Sequence, residues 1–219
     1  IYLKLIELKP DFAEAYNNLA NIYMQQKFTE KAIYFFEKAL SNKSDLAQAH
    51  FNLAKIYTEF GNTLQLAGKL EQSLKNYKRA IENKSDYVEA HNNLGISLEK
   101  LKRFEEAEKA FREATRIKHD YFLSHNNLGN ILMVLGKNHD AVKSYQEAIK
   151  INPNYSEAHS NLGIALNALG YFEESIFHYQ QAIKIKPEFE LAYNNLAASL
   201  LDQGKSNEAK EIYNKALKL

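Results

Sequence analysis

Cysteine and tryptophan are absent from this 219-residue chain, and proline (3) and glycine (8) are scarce. Without cysteine there is no disulfide, no thiolate nucleophile and no Cys-based metal site; the composition fits a reducing compartment and carries no information about secretion. So few prolines and glycines cannot supply the frequent turns of an all-β domain, which leaves long helices. Charge of one sign is also missing: 28 Lys and Arg face 27 Asp and Glu. Nothing global therefore draws in a phosphate backbone or an anionic membrane. No apolar run approaches the roughly 20 residues that cross a bilayer, since even Ile131 to Leu135 stops at Gly136 and Lys137. The opening IYLKLIELKP has no signal-peptide character. It reads as the end of a helix that begins earlier, so the chain is expected to be part of something longer. What remains is a 45% hydrophobic composition, ample for a core.

Self-comparison finds one motif six times. AYNNLANIY, AHFNLAKIY, AHNNLGISL, SHNNLGNIL, AHSNLGIAL and AYNNLAASL begin at Ala15, Ala49, Ala90, Ser124, Ala158 and Ala192, at intervals of 34, 41, 34, 34 and 34. Each is followed by a small residue (Ala32, Ser73, Ala107, Ala141, Ser175, Ala209), an aromatic four further on (Phe36, Tyr77, Phe111, Tyr145, Tyr179, Tyr213) and an alanine three beyond that (Ala39, Ala80, Ala114, Ala148, Ala182, Ala216). Steps of three and four place each trio on one helical face. Ala20, Ala54, Gly95, Gly129, Gly163 and Ala197 follow the Leu of each first helix and let a neighbouring backbone approach. Gly68, Gly136, Gly170 and Gly204 stand where the first helix must stop in a left-handed cap, with Lys27 and Lys102 in the other two turns. Acidic residues such as Glu30, Glu71, Glu105 and Glu106 open the second helices, where the helix dipole favours them, and need no catalytic reading.

The pattern of small, Leu, small, aromatic, small, aromatic, Ala and Pro resembles the tetratricopeptide repeat (TPR) family over essentially the whole chain. The resemblance implies an all-α, right-handed superhelical solenoid of antiparallel helix pairs. Residues 1–12 are then the end of a preceding second helix, and the repeats span 13–46, 47–87, 88–121, 122–155, 156–189 and 190–219 as one continuous domain. Two departures stand out: no tryptophan at the first aromatic position, and seven extra residues in the second repeat. AKIYTEFGNTLQLAGK carries two overlapping registers of the motif. Seven residues make about two helical turns, so the first helix of that repeat is expected to run to about Ala67, with a loop between Gly61 and Gly68 as the competing reading.

Function is sought on the concave face, which the resemblance assigns to the first helices. Asparagine precedes the Leu in all six: Asn18, Asn52, Asn93, Asn127, Asn161 and Asn195. Asparagine is a mediocre helix former, and its amide offers both donor and acceptor to a peptide backbone. Such a ladder resembles the repeat arm of the nucleocytoplasmic O-linked N-acetylglucosamine transferases, which implies binding of extended polypeptide. The competing reading is that the asparagines bond to a neighbouring helix. With helices about 8 to 10 Å apart the ladder would span roughly 40 to 50 Å, room for roughly 12 to 15 extended residues. Glu14, Gln48, Glu89 and Glu157 on one side, and Asn21, Lys55, Asn130 and Gln25 on the other, are the candidates for side-chain selectivity.

Other classes are less well served. His50, His91, His125 and His159 share one repeat position, but helices about 8 to 10 Å apart cannot bring them to one zinc; they read as core residues replacing the aromatic. The dicarboxylate clamp that some family members use for chaperone tails lacks its basic residues, since Glu89 and Asn93 stand where they belong. An RNA-reading helical repeat would need a basic groove. No catalytic constellation or cofactor site is expected, although a larger enzyme such as a protein O-glycosyltransferase could use this segment as a substrate-recruiting arm. The expected partner is a protein or peptide, not nucleic acid or membrane. Apolar ends, including EIYNKALKL, suggest end-to-end self-association, and the expected location is the cytoplasm, or the nucleus and cytoplasm in a eukaryote.

Overall fold

A computed structural model describes residues 1–217, all of whose regular elements are helices. Two compact units are present, Ile1–Leu101 and a second that begins at Lys102. The first holds α1 (Tyr2–Leu8), α2 (Ala13–Gln25), α3 (Thr29–Asn42), α4 (Ala47–Leu66), α5 (Leu70–Asn83) and α6 (Val88–Lys100). The second holds α7 (Phe104–Ile117), α8 (Phe122–Val134), α9 (Asn138–Ile151), α10 (Ser156–Ala168), α11 (Phe172–Ile185), α12 (Glu190–Asp202) and α13 (Ser206–Ala216). Within each unit, a first helix packs on the second helix that follows it and on the helix before it. This is an all-α stack of helix pairs.

The small, aromatic, Ala trio explains that packing. Ala32, Phe36 and Ala39 on α3 are fully enclosed, as are Ser73, Tyr77 and Ala80 on α5. On α9 and α11 the equivalents Ala141, Tyr145, Ala148 and Ser175, Tyr179, Ala182 are buried too. One enclosed aromatic of this kind contributes about 2 to 3 kcal/mol of burial. On α13, Ala209 is enclosed but Tyr213 is 38% exposed. The apolar end expected from EIYNKALKL includes residues 218 and 219, which lie outside the described residues.

The first helices stop in one way. In α2 the Phe28 N–H bonds to the Tyr23 carbonyl (2.9 Å) and the Lys27 N–H to the Met24 carbonyl (3.0 Å), the two bonds of a Schellman cap. The residue between must take positive φ, and Lys27 does so at 62° where Gly68, Gly136, Gly170 and Gly204 occupy the corresponding turns. A side chain pays strain there that glycine does not. Lys27→Gly is therefore expected to raise stability by about 0.5–1 kcal/mol, read as a higher urea midpoint at unchanged slope; a lower midpoint would contradict this account of the turn.

α4 is longer than the other first helices, running unbroken to Leu66. Seven residues at 100° each fall only about 20° short of two turns, so the added segment keeps the same face inward. Leu53, Ala54, Ile56 and Tyr57 join the cluster with Ala20, Ala32 and Phe36 of the preceding pair. Two turns on, Gly61 lies under the Tyr77 ring: a Cβ there would come 2.4 Å from Cε1. The helix thus presents one copy of the motif to what precedes it and a second copy to α5.

Candidate functional site

Steps of four, three and four put one stripe along each first helix. In the first unit these are Glu14, Asn18, Asn21 and Gln25 on α2, Gln48, Asn52, Lys55 and Glu59 on α4, and Glu89, Asn93, Ile96 and Lys100 on α6. In the second they are Leu123, Asn127, Asn130 and Val134 on α8, Glu157, Asn161, Ile164 and Ala168 on α10, and Leu191, Asn195, Ala198 and Asp202 on α12. Asn18 is exposed; Asn93, Asn127, Asn161 and Asn195 are half-buried; Asn52 is buried.

The structure ties several of these amides to the preceding first helix. Asn52 Nδ2 donates to Asn21 Oδ1 at 2.8 Å, and Asn93 Nδ2 donates to Asn62 Oδ1 at 2.8 Å. In the second unit Asn161 Nδ2 donates to both Asn126 Oδ1 (3.0 Å) and Asn130 Oδ1 (3.1 Å). Tyrosine hydroxyls converge on the same acceptors: Tyr77 donates to Asn62 (2.8 Å) and Tyr145 to Asn130 (2.9 Å). One asparagine carbonyl thus links its own second helix to the ladder asparagine of the next first helix. Burial pushes the Tyr77 phenol well above its ordinary pKa, so it stays a donor.

Other expected selectivity residues also have internal partners. Gln48 donates to Asn52 Oδ1 at 3.1 Å. Glu14 pairs with Lys43 (3.2 Å) and Glu157 with Lys186 (3.6 Å), each joining the start of a first helix to the end of its second helix. The Glu14 carboxyl is held below its usual pKa by its own backbone N–H and by Lys43. Lys55, Glu89 and Gln25 are exposed. Asn62 and Asn126 escaped the sequence reading. Asn62 follows Gly61 in the second register of AKIYTEFGNTLQLAGK as Asn130 follows Gly129, so the overlap held its signal; Asn126 had none beyond its place beside Asn127.

Each of the four repeat histidines places Nε2 against a carbonyl six residues back: His50 on Ser44 (2.8 Å), His91 on Ser85 (2.8 Å), His125 on His119 (2.9 Å) and His159 on Pro153 (3.1 Å). A carbonyl only accepts, so Nε2 carries the proton in each. These bonds fasten the approach segment to the first helix, a reason for histidine rather than phenylalanine. Among the described residues no three His, Asp or Glu gather as a metal site, and no helix is long and apolar enough to cross a membrane.

Models of the tetratricopeptide repeat match residues 11–86, 58–121 and 191–219, and a TPR repeat model matches 129–170 and 165–204. No curated protein matches the chain. Among solved structures, a crystal structure of MamA protein is 23% identical with a TM-score of 0.69, covering 76% of this chain and 91% of that one. MamA 41-end from Desulfovibrio magneticus RS-1 is 20% identical with a TM-score of 0.70, covering 76% and 94%. YrrB, a TPR protein with an unusual peptide-binding site, is 21% identical with a TM-score of 0.64, covering 87% and 95%. At such identities the likeness is one of fold. Matches of the repeat models over nearly the full length, on helix pairs that keep the repeat's small, aromatic and alanine positions, place this chain in the tetratricopeptide repeat family.

Proposed function

We propose that this chain is a protein-interaction module that holds an extended polypeptide on its first-helix face, with the ladder asparagines addressing the peptide backbone. The observation that carries this is the recurrence of asparagine at one stripe position of all six first helices. Their bonds to neighbours support the reading, because an amide fixed in advance loses less entropy when a ligand arrives. Half-buried Asn93 has one N–H bonded to the preceding helix, and an amide nitrogen has two. YrrB, of the same fold, has a peptide-binding site.

The same bonds favour a second reading, in which the asparagines only brace the stack. Binding of an unbiased peptide library to the wild type and to the Asn93→Ala, Asn127→Ala, Asn161→Ala triple variant separates the two. The backbone-addressing reading expects affinity to fall at least about tenfold for many unrelated sequences, at a temperature where circular dichroism shows both proteins folded. Bracing alone expects lower stability, by about 1 kcal/mol per lost bond, with peptide affinity intact; that result would overturn the proposal.

A further inference from the structure

The seven added residues give α4 two registers of the motif, with only one helix pair before it to cover them. Phe60 precedes Gly61 as Leu128 precedes Gly129 and Leu162 precedes Gly163. Those leucines are buried, and Leu196, one repeat further, is buried in a cluster with Ile176 and Tyr179 of the second helix before it. Phe60 has no such cover and is 37% exposed. The core face of α3 is taken by the first register, where Ala32 and Phe36 cluster with Leu53, Ala54, Ile56 and Tyr57. What stands beside Phe60 is the turn between α2 and α3. A cleft of about 400 Å³ lies there, lined by Lys27, Phe28, Thr29, Glu30, Lys31 and Phe60, within the size range of ligand pockets.

The turn itself departs from its counterparts. Phe28 is 53% exposed at a position that Lys69, Arg103, Lys137 and Lys205 fill in four of the other turns, with Tyr171 in the fifth. Lys27 keeps a positive φ where four of those turns have glycine, as Lys102 alone does besides; a lysine there works against stability and adds a cation to the cleft lining. Lys31 is held by its own neighbours, with Nζ 5.4 Å from the centroid of the Tyr23 ring and 5.5 Å from that of Phe28. Its charge is thus fixed over one aromatic wall. Glu30 is the one carboxylate among the lining residues, so two lysines against it leave the cleft cationic.

We infer that this cleft is a docking site for an acidic peptide segment that seats one large apolar side chain, phenylalanine, tryptophan or leucine, against Phe28 and Phe60. An aspartate or glutamate next to that side chain pairs with Lys27 and Lys31. Two exposed aromatic walls lose water only when such a side chain arrives, and ring contacts add to the burial. The same lysines repel a basic segment, so charge selects the ligand as well as attracting it. The cleft lies off the first-helix stripe and uses none of the ladder asparagines, so it stands or falls apart from the backbone-addressing reading.

Capped random heptapeptides selected in parallel on the wild-type chain and on Phe60→Ser test it. The wild-type pool should be enriched, and the Phe60→Ser pool should not, in peptides that carry Phe, Trp or Leu beside Asp or Glu. Measured by fluorescence anisotropy, those peptides should bind Phe60→Ser at least about tenfold more weakly and the Asn93, Asn127, Asn161 triple variant as tightly as the wild type. Lys27→Gly should bind them about threefold more weakly, the effect of one exposed ion pair, although it is the more stable protein; a loss of affinity with a gain in stability does not come from unfolding. Raising salt should weaken binding to the wild type as well. The cleft is overturned if acidic peptides with a large apolar residue are not enriched on the wild type, or if they bind Phe60→Ser and Lys27→Gly undiminished. Loss on the triple variant alone would place them on the stripe, which overturns the cleft and leaves the ladder standing.

Discussion

Gly129→Val should cost about 3 to 5 kcal/mol, the range of severe core overpacking. A Cβ on Gly129 would stand 2.5 Å from Cε1 and 2.7 Å from Cδ1 and Cζ of Tyr145. That ring has nowhere to retreat: it is 2% exposed, and its hydroxyl is held by Asn130 at 2.9 Å, one residue along the same helix as Gly129. Relief requires α8 and α9 to separate or the Tyr145 to Asn130 bond to break, and the break would also disturb the acceptor that Asn161 uses. Gly129→Ala should cost less, about 1 to 2 kcal/mol, because alanine recovers helix propensity of about 1 kcal/mol. The chain already shows where alanine fits. Ala20 occupies the same position in a pair whose second-helix aromatic is Phe36, which has no hydroxyl to draw it toward Asn21. Urea denaturation followed by circular dichroism measures all of this; a valine variant as stable as the wild type would show that the helices part without cost.

Periodicity made the helices legible, because burial on a helix obeys a local rule: residues three and four apart share a face. The trio Ala141, Tyr145 and Ala148 could be placed in the core from spacing alone, and the structure encloses it. The continuation of α4 was legible for the same reason, since seven added residues extend an apolar face expected to run through Tyr57, Phe60 and Leu64; the structure buries Tyr57 but leaves Phe60 37% exposed, because it is the neighbouring Gly61 that turns to Tyr77 of α5. The stripe itself was equally plain. What sequence could not disclose was which atoms of the stripe are already engaged. That Asn62, and not Lys55, lies against Asn93 and accepts from it depends on which of two registers of α4 faces α6, a property of helix packing. The carbonyls under His50 and His91 were hidden likewise, since a backbone acceptor has no signature in the side-chain sequence. Tyr213 matches the motif as well as Tyr179 does, yet it is 38% exposed. Motif position specifies the direction of a side chain; burial also needs a partner on the far side.

Acid should weaken the second unit through a histidine pair. His159 on α10 and His178 on α11 place their Nδ1 atoms 3.1 Å apart, with ring centroids 5.4 Å apart. Because His159 Nε2 donates to the Pro153 carbonyl, its Nδ1 is left as the acceptor, and the proton between the rings belongs to His178 Nδ1. A second proton would turn this bond into a repulsion. Burial, and then the proximity of His159, push the His178 pKa down to about 4, and burial lowers that of His159. In the unfolded chain both titrate near 6.5. Between about pH 6.5 and 4 the unfolded chain therefore binds more protons than the folded one, and stability rises with pH. It is full above pH 6.5 and falls as pH drops toward 4, by about 2 kcal/mol after allowance for the partial exposure of the pair. His178→Phe should flatten this dependence, since Phe35 already packs on Tyr23 in the first unit, rings parallel at 5.3 Å, without any proton to share. Carboxylates such as Glu108, held below their ordinary pKa by Lys137 and Arg112 despite burial, weaken the fold at lower pH, through and below the ordinary carboxylate range. Urea midpoints of wild type and variant compared from pH 7 to 5 therefore isolate the histidines. Two parallel curves would mean that the pair opens to water and takes its second proton without loss of structure.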